Sequence, residues 1–331
     1  MIFRTSFEID PAQVRISYND PVMFIGSCFA SSVGSRFEAG HMPVMINPSG
    51  TVYNPVSVAK TLDSITGGKE YRMDDLYNFN GTWLSFDHYT EFSSVSLQEV
   101  LSGINQKMSD AHIFISSARF LFITLGTARV YRWKQSGKIV SNCHKIPASG
   151  FTSELLSVSD IVSLWNEKLN MLKTFNPDLK VVFTISPVRH MKDGAYGNQV
   201  SKSVLFVAVE ELLRHPSGPG YFPAYELLMD DLRDYRFYEE DMLHPSSQAI
   251  DYIWDRFTEC YLEKSTLALW KEFDDLSKGY HHRLRSISSP QTRKFAGSML
   301  NLITKLDKQV PSAELSADKE YFQRLTGSRD A

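Results

Sequence analysis

At 331 residues and 37.7 kDa, with 43% hydrophobic and 22% charged residues, the chain has a globular composition and length for one large domain plus an appendage, or for two domains. Its net charge of -3, from 35 basic against 38 acidic residues, gives no electrostatic basis for partnership with nucleic acid or an anionic membrane. No apolar run approaches the roughly 20 residues of a membrane span, the N-terminal MIFRTSFEID lacks a long apolar stretch, and the cysteines (Cys28, Cys143 and Cys260) are odd in number, so the expected setting is the reducing cytoplasm.

The first element is Met23 to Ser32, MFIGSCFASS. Phe24 and Ile25 read as the end of a buried strand, Gly26 permits a tight turn, and the small residues after Phe29 open a helix running to Ala39 and stopped at Gly40. A nucleophile on such a strand-to-helix turn is pushed out of the sheet, with backbone N–H groups facing any anion beside it. The other reading of Gly-Ser-Cys is a buried cysteine in a β-turn-α connection.

Pro43 to Ile46 suits a second strand. The turn-rich INPSGTVYNP then leads into a helix over Pro55 to Ile65, with Asn54 as N-cap and Gly67 as terminator. Gly50 and Asn54 would lie near the first turn in a βαβ arrangement. Residues 68–95 read as an aromatic-rich insertion with short strands, and Leu97 to Met108 as a helix.

Ala118 to Leu125 (ARFLFITL) has the strongest strand pattern of the chain, ending at Gly126-Thr127, and Arg129 to Trp133 with Lys138 to Ser141 suits a β-hairpin. A helix over Ser159 to Phe175, a strand over Lys180 to Ile185, a helix over Gln199 to His215, a last strand over Tyr221 to Leu228 and a helix over Ser246 to Leu262 complete the alternation. Beyond it, Leu267 to Leu276, Pro290 to Leu306 and Ala313 to Leu325 read as helices, the last charged enough for a solvated or fraying tail. The pattern predicts a largely parallel sheet covered on both faces.

In such a sheet, active residues gather at the carboxyl ends of the strands. Those ends carry Gly26-Ser27-Cys28, Gly126-Thr127, Ser186-Pro187-Val188-Arg189-His190 and, after the last strand, Asp241-Met242-Leu243-His244-Pro245. Three residues apart, Asp241 and His244 would share one side of a helical turn, the carboxylate orienting the imidazole so that it can take a nucleophile's proton. Alone, His244 reads equally as a surface histidine at a helix start.

GSCFA at Gly26 to Ala30 resembles the signature of the GSCFA family, which is similar to the SGNH (GDSL-like) hydrolases. Tyr53-Asn54-Pro55, Asn142-Cys143-His144-Lys145, Ser186 to His190, Asn198 with Ser201-Lys202, and Asp241 to His244 also resemble family motifs. The resemblance implies a three-layer α/β/α, flavodoxin-like fold with a mostly parallel sheet over residues 1–262, followed by a helical C-terminal extension over 263–331. It implies acyl-ester hydrolysis or acyl transfer on a small or carbohydrate-linked ester, with no cofactor and no metal.

Laid over the SGNH pattern F-x-G-D-S, FIGSC places Cys28 at the nucleophile and Ser27 at the preceding Asp, so Cys28 is the first candidate and Ser27 the alternative, with His244 as base and Asp241 orienting it. For the oxyanion, the resemblance implies the Cys28 N–H and Gly50; Ala128 stands where SGNH enzymes carry an asparagine, leaving Thr127 or Asn142 as substitutes. His144, Lys145, Arg189 and His190 are candidates for holding an anionic substrate group; surface or core roles for them are equally ordinary. Two further readings are a non-catalytic binding module derived from the SGNH pocket and a metal-dependent hydrolase built on Cys28, Cys143, His144, His190 and His244. The metal reading lacks ligand-pair spacing.

Overall fold

The computed structural model describes residues 4–284, 286–287 and 289–327; the outermost residues of the two expected units, 1–3 and 328–331, lie outside them. Five strands make the central sheet: β1 (Val22–Gly26), β2 (Val44–Ile46), β5 (Phe120–Leu125), β9 (Lys180–Ile185) and β10 (Gly220–Tyr221). They are ordered β10-β9-β5-β1-β2 and paired parallel throughout. Counting these five in chain order gives 2-1-3-4-5, the flavodoxin-like order, in which the chain winds one way from β1 to β2 and the other way from β5 onward. The crevice outside the carboxyl ends of β1 and β5 is therefore the topological switch point.

Alternation along each strand feeds two apolar layers. Val22, Phe24, Phe120, Phe122 and Val182 face one side, packing with α1 (Cys28–Ala39) and α7 (Ser247–Tyr261). Met23, Ile25, Leu121, Ile123 and Phe183 face the other, against α2 (Pro55–Thr66), α3 (Leu97–Ser117), α4 (Val158–Phe175) and α5 (Gly194–Leu212). Burial on both faces is why these strands are continuous apolar runs rather than alternating ones.

Between α2 and α3 sits a hairpin, β3 (Tyr77–Phe79) with β4 (Thr82–Leu84). After β5 comes an antiparallel sheet ordered β7-β6-β8, made of β6 (Arg129–Trp133), β7 (Ile139–Val140) and β8 (Phe151–Leu155). Leu84, Trp133, Val140, Ile146 and Phe151 form a small core of their own that joins the two insertions. The expected hairpin is thus present with a third strand, β8, that the sequence reading lacked.

The expected strand over Tyr221 to Leu228 is corrected. Only Gly220–Tyr221 pairs, because Pro223 lacks the N–H a ladder needs. The chain turns instead into a short helix, α6 (Ala224–Glu226), which continues as a π-helical turn over Leu227–Asp231, and Ala224, Leu227 and Leu228 are buried.

Among the described residues three helices follow residue 262: α8 (Lys264–Tyr280), α9 (Pro290–Gln309) and α10 (Ser316–Thr326). They share an apolar cluster with α1 and α7, and Trp270 donates from Nε1 to the Arg36 carbonyl at 2.7 Å. The charged α10 is a packed helix rather than a fraying tail: Phe322 is fully buried, while Lys319, Glu320 and Arg324 are exposed.

Candidate active site

Glycine at position 26 is dictated by its surroundings. Its φ is +143°, and a Cβ there would lie 2.2 Å from the Thr124 carbonyl oxygen, so no side chain fits where β1 leaves the sheet. The chain then turns into α1. Ser27 donates from its N–H to Thr124, caps the helix by accepting from the Phe29 N–H at 3.3 Å, and is 2% exposed. The two nucleophile candidates are therefore unequal in placement: the Ser27 hydroxyl is buried in the cap, while Cys28 is half-buried at the first helical position.

Burial pushes the Cys28 thiol up, and the Phe29 and Cys28 backbone N–H groups and the Lys202 ammonium pull it back down. Asn47 fixes the turn from below. Its Oδ1 accepts from the Gly26 N–H at 2.8 Å and its Nδ2 donates to Ser31 Oγ at 2.9 Å, from a backbone with φ of 42°.

At the ends of β5 and β9, Ser201 on α5 ties the strand exit together: its Oγ lies 2.9 Å from Thr127 Oγ1 and accepts from the Ala128 N–H at 2.8 Å. The Gly126 and Thr127 N–H groups both donate to the Tyr53 carbonyl, and the Tyr53 phenol, pushed up to about 12 by burial first, also senses Tyr89 and Cys28. The next residue of α5, Lys202, is fully buried. Its Nζ donates to the Ser186 carbonyl at 2.6 Å and lies 5.7 Å from the centre of the Tyr225 ring. No ion pair joins it to a carboxylate among the described residues, and burial, with the Arg189 charge adding to it, brings it down to about 7.

Asp241 and His244 meet, by a different geometry from the expected helical turn. They sit in a loop before α7 in which Asp241 Oδ1 accepts from the Leu243 and His244 N–H groups at 2.8 and 2.9 Å, while Oδ2 lies 2.6 Å from His244 Nδ1. Those three bonds, the His244 N–H foremost, hold the Asp241 carboxyl down to about 2. The carboxylate orients the ring through Nδ1 and leaves Nε2 free to exchange a proton with a substrate. The His244 side chain is 50% exposed, and no hydrogen bond joins it to Ser27 or Cys28 among the described residues.

Most of the remaining candidates are held in structural bonds. The Gly50 N–H, expected at the oxyanion, donates to the Asn47 carbonyl at 2.7 Å in a tight turn with φ of 74°. Asn54 caps α2, accepting from the Ser57 N–H and donating to Ser57 Oγ. Thr127 Oγ1 also accepts from the Arg129 N–H. Asn142 bonds Thr90 and the His144 N–H, in the insertion rather than at the strand ends.

His144 and Lys145 both have left-handed backbone, and His144 is buried with its Nε2 2.7 Å from the Ser85 carbonyl, its imidazole pushed down by burial. Arg189 Nε donates to Asn198 Oδ1 at 3.0 Å and Nη2 to the Ala195 carbonyl, while burial, more than any neighbour, lowers half-buried His190. Among the described residues, no group of three His, Cys, Asp or Glu side chains is placed to hold a metal, and no helix is long and apolar enough to cross a membrane.

Two residues escaped the sequence reading as individuals. Asn47 was hidden in a turn-rich stretch. Lys202 stood inside a family-like stretch without an assigned role; only its position beside Ser201, on the face of α5 that carries Asn198 and Leu205, could have pointed to its burial.

The GSCFA family model matches residues 21–257, more than half of the chain. Among solved structures, the chain is similar to a carbohydrate esterase family 3 protein from Talaromyces cellulolyticus, with 10% identity, 76% of this chain and 99% of that one covered, and a TM-score of 0.34. It is also similar to an acetyl xylan esterase from the rumen bacterium Butyrivibrio proteoclasticus, with 12% identity, 74% and 63% covered, and a TM-score of 0.36. No curated protein matches it in sequence.

Proposed function

This chain belongs to the GSCFA family, and we propose that it is an SGNH-like esterase or acyltransferase that works through an acyl-thioester on Cys28. The observation that carries this reading is the placement of Cys28. It combines a thiol at the first position of α1, at the topological switch point, with backbone N–H groups of the helix start that favour its thiolate.

The Cys28 thiol gives its proton to His244 as the sulfur attacks the carbonyl carbon of a small or carbohydrate-linked ester, and the oxyanion forms beside the helix N-terminus. The C–O bond then breaks and His244, oriented by Asp241, returns a proton to the leaving alkoxide. Water completes hydrolysis, or a second alcohol completes transfer, by attacking the thioester with His244 taking the incoming proton. The three free cysteines suit a reducing cytoplasm, where a catalytic thiol stays active. Helices α8, α9 and α10 act as an extension that buttresses α1 and α7.

A short-chain p-nitrophenyl ester is the direct probe. Hydrolysis, with the acyl group trapped on the Cys28 peptide by mass spectrometry, is the expected result; Cys28→Ala lowers turnover by on the order of 10⁴-fold or more. Undiminished labelling of both Cys28→Ala and Ser27→Ala would remove the nucleophile assignment. A second reading, a non-catalytic binding module, is favoured by the half-exposed His244 with no bond to Cys28. Saturable binding of a carbohydrate ester without turnover would select it.

A further inference from the structure

We propose that Lys202 is the proton acceptor for the Cys28 thiol, so that a cysteine–lysine pair, rather than His244, activates the nucleophile. The inference rests on the reading of Cys28 as the nucleophile and goes beyond it by dividing the proton transfers between two groups.

Several observations converge on Lys202. A lysine with no exposed surface and no carboxylate partner among the described residues sits at the carboxyl end of the sheet, where β9 delivers the Ser186 carbonyl that holds its Nζ at 2.6 Å. Ser186 donates from its N–H to the Leu125 carbonyl, and Ser27 donates to Thr124, so the Lys202 amine and the Cys28 turn lie at the ends of strands separated by β5 alone. Strand spacing of about 4.8 Å puts β1 and β9 roughly 10 Å apart, a span that the length of the lysine side chain and one water can bridge. The coupling is mutual: the Lys202 charge favours the Cys28 thiolate, and the thiolate favours the ammonium.

A lysine in this position serves as a base better than as a fixed charge. The titratable and charged groups facing it are Cys28 from α1, Arg189 and His190 from the loop after β9, and Tyr225 from α6. Two of these are cationic or become so on protonation, none is a carboxylate, and burial removes the water that would stabilise an ammonium. The amine is therefore available in its neutral form near neutral pH, with one N–H on the Ser186 carbonyl and its lone pair free to accept a proton.

A thiol that burial has raised needs such a base. In the step itself, the Cys28 S–H proton passes to Lys202 Nζ as the sulfur lone pair forms the C–S bond to the acyl carbon. His244, protonated on the solvent side, gives the leaving alkoxide its proton and regains one from the water that attacks the thioester. When water cleaves the thioester, the departing Cys28 thiolate takes that proton back from Lys202, which restores both the thiol and the neutral amine.

The test is the pH dependence of Cys28 alkylation by iodoacetamide, read on the Cys28 peptide by mass spectrometry from about pH 5.5 to about pH 10, because this reports thiol activation without any ester. Wild-type protein is expected to show a step in rate near neutral pH, where Lys202 loses its proton, below the ionisation of the raised thiol itself. Lys202→Met is expected to lose that step, slow by about tenfold or more at neutral pH, and retain only the alkaline limb.

A wild-type profile with a single alkaline inflection would overturn the proposal without recourse to any variant, as would a neutral step that survives in Lys202→Met. The p-nitrophenyl ester assay separates the two readings. A neutral alkylation step in a protein that never forms a Cys28 thioester removes acyl transfer and leaves the thiol–amine pair standing, whereas Cys28-dependent turnover with a Lys202-independent step does the reverse.

Discussion

The strand-end crevice and the loop before α7 each hold a proton carrier, and they tune it by opposite physics. Lys202 is stripped of water and faces other cations, so its charged form is disfavoured; Asp241 stands in solvent and is held ionised by two backbone N–H groups and the His244 ring. The first arrangement is insensitive to salt, because low-dielectric interactions are little screened, and the second depends on local hydrogen bonds whose electrostatic part is screened. In the proposed mechanism the first supplies a base that works from inside the protein and the second an acid that meets the substrate from the solvent side.

The contrast can be broken at either end. His244→Asn has the largest expected effect on the solvent side, a fall of about 10²- to 10³-fold in ester turnover, while the neutral step in Cys28 alkylation persists. Loss of the step along with turnover would make the two regions one unit.

A stability measurement addresses the interior. Lys202 is lowered to about 7 in the folded protein, against about 10.4 for an unperturbed lysine. Between those values the unfolded chain binds more protons than the folded one, so stability rises with pH across that window, and below it the full cost of charging the buried amine applies. Lys202→Met removes that cost. Its gain in unfolding free energy, on the order of a few kcal/mol in urea titrations at about pH 6, should fade toward pH 10. A gain independent of pH would mean that the amine is not desolvated.

The smallest effect belongs to Ser27. Ser27→Ala removes the cap of α1 and costs about 1 kcal/mol of stability, with acyl labelling of Cys28 retained. Loss of labelling at unchanged stability would return the nucleophile to Ser27.

What the sequence made legible was local. β1 and β5 were readable because strands buried on both faces are unbroken apolar runs ending at glycine, and Asp241 with His244 because a three-residue spacing lets one side chain reach the other in several backbone geometries. The actual geometry, a loop in which the carboxylate also binds two N–H groups, was beyond a helical reading. β8 was missed because four of its five residues are exposed and offer no alternation.

The expected strand over Tyr221 to Leu228 failed because an apolar run with a central proline serves equally as a strand end followed by a helical turn. Gly50 was read as a free donor, yet its N–H closes a turn on Asn47, a bond that depends on the path of the loop. Lys202 was obscured for the same reason. Lysine is a surface residue by default, and only the assembled sheet, the Ser186 carbonyl and the Tyr225 ring turn it inward.

The brevity of β10 and β2 has a consequence beyond the site. These two strands border the central sheet and comprise only two and three residues, against five or six in the strands between them. Neither border offers a row of unpaired amides long enough to template another chain, so the most aggregation-prone sequences, MFIG and FLFITL, are shielded laterally as well as from above and below. The central sheet should resist strand-to-strand self-association at high concentration, and the hazard its strands carry is confined to chains that have not yet closed it.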